Sequence, residues 1–126
     1  MEDKITEDYV SFEVAKLLKE KGFDGECFAA YNGNGKLYES DKEVDDNTPY
    51  WSDAPTLQMA MKWLREVHKL YVVVRPYVTE EGTLSLFDLK SIKEKGIVVN
   101  LRTKTGFNTY EESCEVAIKY CLENLI

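Results

Sequence analysis

A chain of 126 residues, 44% hydrophobic and 31% charged, is long enough for one domain over residues 1–126 that buries roughly two-thirds of its unfolded surface, so no disulfide or metal is needed to hold it. This is ordinary globular composition and excludes long disorder. The net charge of −7 repels phosphate backbones and weighs against general nucleic-acid binding.

The charge is uneven. Residues 1–53 hold six lysines against fourteen acids, a net of −8, while residues 54–126 hold ten bases against nine acids, a net of +1. One local basic stretch stands out, with Lys90, Lys93, Lys95, Arg102 and Lys104; it reads as a solvated turn between strands. Residues 1–8 are acidic, the first apolar cluster is interrupted by Glu13 and Lys16, and no apolar run reaches bilayer length. The expected setting is therefore cytoplasmic, without a membrane partner, and the three cysteines are expected as thiols.

In chain order, Ser11 is a candidate N-cap for a helix with Val14, Leu17 and Leu18 on one face and Gly22 as its stop, after which Phe23 packs back. Cys27 to Tyr31 and Lys36 to Tyr38 are β-prone runs joined by Asn32-Gly33-Asn34-Gly35, a hairpin turn. Ser40 to Ser52 reads as a polar connection rich in acids and ending in Pro49, Tyr50 and Trp51. From Ser52, a polar cap and an early proline, Pro55 in the first turn, open a second helix whose stripe is Leu57, Ala60, Met61, Leu64 and His68, widened by Met59 and Trp63.

Three strands follow over Tyr71 to Val78, Thr83 to Leu89 and Ile97 to Leu101, with Pro76 marking an edge or a bulge. The middle segment has an alternative, because Ser85 could cap a short helix carrying Leu86, Leu89 and Ile92; strand is the reading adopted. The last helix carries the clearest local signal: Thr109 and Glu112 form a capping box, and Tyr110, Cys114, Ala117, Ile118, Cys121, Leu122 and Leu125 make a buried stripe. The expected fold is α+β, an antiparallel sheet with helices packed on it, in the order α-β-β-α-β-β-β-α.

Gly22-Phe23, Ala54-Pro55-Thr56 leading to Trp63-Leu64-Arg65, and Gly106-Phe107 followed by Thr109-Tyr110-Glu111-Glu112 and a long helix resemble a group of small uncharacterised proteins of gut Bacteroides and their phages or mobile elements. The similarity covers most of the chain from Tyr9 onward. These motifs are caps and core positions, so the resemblance implies a fold and a setting, and carries over no catalytic residue. Residues 54–126 also share the α-β-β-β-α order of a double-stranded-RNA-binding domain, but Glu111 and Glu112 open the last helix where such a domain is basic.

Chemistry is sparse. The single histidine, His68, sits near the end of the second helix, and no motif marks a nucleophile for it. Asp41, Glu43, Asp45 and Asp46 start like a calcium-binding loop, yet the sixth position is Asp46 instead of glycine and the twelfth is Ser52 instead of glutamate. No metal and no cofactor is expected. The expected function is a small intracellular binding or accessory protein of a bacterium or its phage, without enzymatic activity and with a protein as partner. The candidate contact surface is Asp41, Glu43, Asp45 and Asp46 with Tyr50 and Trp51, whose rings either anchor a partner or seal the core. An acidic inhibitor imitating nucleic acid is the alternative, and a carboxylate-based metal-dependent enzyme stands third.

Overall fold

Capping groups set the helices in the computed structural model of the chain, which describes residues 6–25, 27–39 and 50–126, with backbone alone at 50 and 51. Helix α1, Phe12–Glu20, begins where Ser11 Oγ accepts the Val14 amide at 3.2 Å. It stops at Gly22, φ +88°. There the Phe23 amide reaches the Leu18 carbonyl at 2.9 Å and the Gly22 amide reaches Lys19 at 3.2 Å, the paired bonds of a Schellman motif.

Strands β1, Ala29–Asn32, and β2, Leu37–Glu39, form the expected hairpin. Asn32 Oδ1 holds the turn by accepting the Asn34 amide at 2.9 Å and the Lys36 amide at 3.0 Å. A third strand, β3, Tyr50–Asp53, pairs with the other edge of β1, giving the order β2-β1-β3. The connection read over Ser40 to Ser52 thus yields its end to a strand. Ser52 is no helix cap: it is buried in β3, and its hydroxyl donates to the Ala15 carbonyl at 3.1 Å.

Helix α2, Leu57–His68, is capped by Thr56, whose Oγ1 accepts the Met59 amide at 3.1 Å. Pro55 precedes this cap and is buried, so it lies outside the first turn where the sequence had suggested it. Lys69, in the left-handed region at φ +58°, turns the chain directly into β4, Leu70–Thr79. β4, β5 (Gly82–Ile92) and β6 (Val98–Phe107) make an antiparallel meander, order β4-β5-β6. Thr83 to Leu89 is strand, as adopted, because Ser85, Phe87 and Leu89 alternate toward the helices. Pro76 sits on an edge strand, as a residue without a donor should. β6 runs longer than Ile97 to Leu101, with register slips opposite 85–87 and 89–90 and Gly106 at φ +92°.

Helix α3, Tyr110–Asn124, is capped by Thr109, which accepts the Glu112 amide at 3.0 Å. The Glu112 carboxylate reaches back one residue beyond the usual box, to the Asn108 amide at 3.4 Å. Cys114, Ala117, Ile118, Cys121 and Leu122 are buried as expected, whereas Tyr110 is exposed and bonds Gln58 at 3.0 Å.

α2 and α3 cover one face of the β4-β5-β6 sheet, with Phe87 stacked on Phe107 at 5.6 Å beneath them. α1 packs on α3, and β3 on α1, so α1 and the β2-β1-β3 sheet lie beyond the helices from the β4-β5-β6 sheet. The sheet's other face is polar at its centre: Asp88 accepts from the Thr103 hydroxyl and from Arg75 Nε at 3.4 Å.

A Cβ at Gly35, φ +80°, would stand 2.9 Å from Phe12 Cδ2. Gly35→Ala should therefore cost about 1–3 kcal/mol in denaturant unfolding, through left-handed strain and displacement of Phe12. The Thr103 hydroxyl, against the opposing effect of burial and helped by Arg75, holds the Asp88 carboxyl below its ordinary value. A depressed carboxyl contributes stability above its unfolded pKa and loses it as pH falls through the folded value. Carboxyl-carbon NMR titration of Thr103→Val should show Asp88 titrating at higher pH than in the parent.

Candidate functional site

Residues 6–11 run as a strap across the start of α2. The Val10 amide donates to the Pro55 carbonyl at 3.0 Å, the Leu57 amide to Asp8 at 2.9 Å, and Tyr9 bridges Thr56. The Tyr31 hydroxyl donates to the Val10 carbonyl, tying the strap to β1, and the Ser11 amide donates to Glu115 Oε1 at 3.1 Å, tying it to α3.

One side of this strap opens a groove of about 600 Å³. Tyr9, Ala54, Pro55, Phe28 and Met59 supply its apolar surface; Glu7, Glu39, Thr6, Thr56 and Cys27 supply its polar wall. Phe28 is 72% exposed, an unusual position for a ring that has a core nearby. Cys27 is half-buried, and its thiol is pushed up to about 11, first by desolvation and then by the charge of Asp53. A protonated thiol is a poor nucleophile, so it serves here as part of the wall.

Along the other side of the strap the acids converge. Glu7, Asp8 and Glu111 line one shallow depression, and Asp8, Glu111, Glu112 and Glu115 line the next. Sequence reasoning assigned no site to this band, because residues 6–8 and α3 meet only in the folded chain. Glu111 and Glu112 also lie in the first turn of α3, where negative charge favours the helix dipole.

The acids named from sequence, Asp41, Glu43, Asp45 and Asp46, lie outside the described residues. Tyr50 and Trp51 are placed in β3 by their backbone, adjoining Ala54 and Pro55 in the groove. His68 ends α2 with its ring against Trp63, centroids 4.6 Å apart, and its Nε2 is buried without a partner among the described residues. Among the described residues no cluster of three or more His, Cys, Asp or Glu could hold a metal ion, and no helix is long and apolar enough to cross a membrane. The unit α2-β4-β5-β6-α3 keeps the helix and strand order of a double-stranded-RNA-binding domain, but Glu80 and Glu81 occupy its first strand turn and Glu111 and Glu112 the start of its last helix. No protein-family model, no curated protein and no solved structure matches this chain.

Burial raises the Cys114 thiol to about 11 and Cys121 to about 12, as it does Cys27. The folded chain then holds more protons than the unfolded one above the ordinary 9.0, so stability should fall as pH rises through 9 to 12. Alkylation at neutral pH should label Cys27 slowly, and Cys114 and Cys121 only after denaturant is added; rapid native labelling of the α3 pair would contradict their burial.

Proposed function

We propose that the chain is a small non-enzymatic binding or accessory protein, working inside a bacterium or its phage, that captures a basic segment of a protein partner at the groove beside residues 6–11. The observation that carries this reading is the exposed Phe28 ring with Met59, Glu7 and Glu39 around one groove. A lysine or arginine side chain suits such a groove, since its apolar stem can cover Met59 and the ring while its charged head meets the carboxylates. Phe28 contributes buried area, and so residence time; the flanking acids contribute steering and association rate. Asp41, Glu43, Asp45 and Asp46, which follow Glu39 in the chain, add to the same attraction, and Tyr50 and Trp51 adjoin it. No cofactor or metal is invoked, and nucleic acid is not the proposed partner.

The band of Glu7, Asp8, Glu111, Glu112 and Glu115 favours a second reading, an acidic inhibitor that imitates nucleic acid in a partner's basic groove. The two readings differ in what carries affinity. Titration with a lysine- and leucine-containing peptide, followed by amide chemical shifts, should map to residues 6–9, 27–28 and 54–59. Phe28→Ser should weaken that binding about tenfold or more with an unchanged melting temperature, because the ring is exposed. Binding that survives Phe28→Ser but is lost in the Glu111→Gln, Glu112→Gln, Glu115→Gln triple variant would replace capture by mimicry.

A further inference from the structure

The open face of the β4-β5-β6 sheet has a composition that the groove does not explain. Strand alternation places Tyr71, Val73, Arg75 and Tyr77 of β4 on this side, opposite Lys90, Asp88, Leu86 and Leu84 of β5. Leu86 is only 6% exposed, yet it belongs to no part of the core beneath the helices. Val73, Ile92 and Val98 are exposed on the same face. The polar groups at its centre are already satisfied: Asp88 is held by Thr103 and Arg75, and Asn100 donates to Thr103 at 3.0 Å. Covering this face would remove apolar side chains from water and leave no new unpaired carboxylate.

We infer that a second copy of the chain covers this face, two sheets packing face to face about a twofold axis that sets their strands antiparallel. The tips of the sheet specify this occupant. The β4-β5 turn carries exposed Glu80 and Glu81, and the β5-β6 turn at the opposite end carries exposed Lys93 and Lys95 near Lys90, with Glu94 leaving that tip net positive. Antiparallel stacking lays the acidic tip of each copy on the basic tip of the other, twice, as an isologous contact requires. It also joins the sheets of the half of the chain with net +1 and leaves α1 and the β2-β1-β3 sheet of the acidic half on the outside. Three strands of ten residues give a footprint about 14 Å wide and about 33 Å long. The turns extend it toward the roughly 800 Å² per partner of a standard interface, which fits a reversible dimer of micromolar affinity.

Sedimentation velocity of the full chain through the micromolar range should show a monomer-dimer equilibrium. Val73→Lys should weaken dimerisation about a hundredfold with an unchanged melting temperature. Val78→Lys, equally polar but on the other side of β4, should leave it intact. Glu80→Lys/Glu81→Lys and Lys93→Glu/Lys95→Glu should each weaken self-association, and mixing the two proteins should restore a dimer of one copy of each, since the tips of one are then positive and those of the other negative. A parent chain that stays monomeric throughout, a Val73→Lys variant that still dimerises, loss of the dimer in Val78→Lys, or a mixture that does not associate would each overturn the inference.

Discussion

The larger sheet and the other two helices all meet at the buried stripe of α3. Its central residues are small, Ser113, Cys114, Ala117 and Cys121, all without solvent exposure. Small side chains bring the helix close to its neighbours, and α3 accordingly packs against the β4-β5-β6 sheet, α2 and α1 together. Ile118 and Leu122, fully buried, contribute about 2 kcal/mol each by leaving water. Within the seam Ser113 and Ser85 satisfy each other, as Ser113 Oγ donates to Ser85 Oγ at 2.8 Å. On the outer side, Lys119 reaches Glu13 of α1 at 2.8 Å, a surface pair that orients more than it stabilises.

Because α2 and α3 cover only one face of the larger sheet, its remaining surfaces carry the demands of solubility. Both edges are blunted against further strand pairing. β4 has Pro76, which offers no donor, and β6 is twice bulged and bears Arg102 and Lys104. The two cations lie over rings of the helix side, Arg102 over Tyr120 at 4.8 Å and Lys104 over Phe107 at 5.9 Å, so they extend the cover of the core while remaining charged. The basic stretch read from sequence as a solvated turn is thus divided: Lys93 and Lys95 occupy the turn, and Arg102 and Lys104 shield an edge. What the edges refuse, the open face remains able to do.

Local signals were the legible part of the sequence. Ser11, Gly22, Asn32 and Thr109 act within three or four residues of themselves, and each stands where its own side chain or backbone freedom dictates. Pro55 misled because it is compatible both with a first helical turn and with the buried segment before a cap; the Thr56 hydroxyl decides between them. β3 was missed because four residues give little periodicity, and its pairing with β1 is a long-range event. The candidate site suffered most from range. The strap over α2 depends on backbone hydrogen bonds between residues 8–10 and 55–57, and the acidic band joins residues 7 and 8 to residues 111–115; no window of sequence contains either. Phe28, in a β-prone run, gave no sign that it would face solvent.

Charge segregation links these surfaces to one another. A net negative charge brings self-repulsion, which is smallest when like charges are spread and largest where they are gathered. Here they are gathered: Glu7, Asp8, Glu111, Glu112 and Glu115 lie on one side of the molecule, and Glu39 adjoins the neighbouring groove. Part of that repulsion is offset locally, by the helix dipole at Glu111 and Glu112 and by the Ser11 amide at Glu115. The remainder acts outward as a field that a cationic partner relieves, which makes this side suited to fast encounter. The opposite face, beyond the helices, has its one carboxylate neutralised and its apolar side chains half covered, and so suits burial instead. The layer of α2 and α3 thus stands between the gathered charge and the open face of the larger sheet.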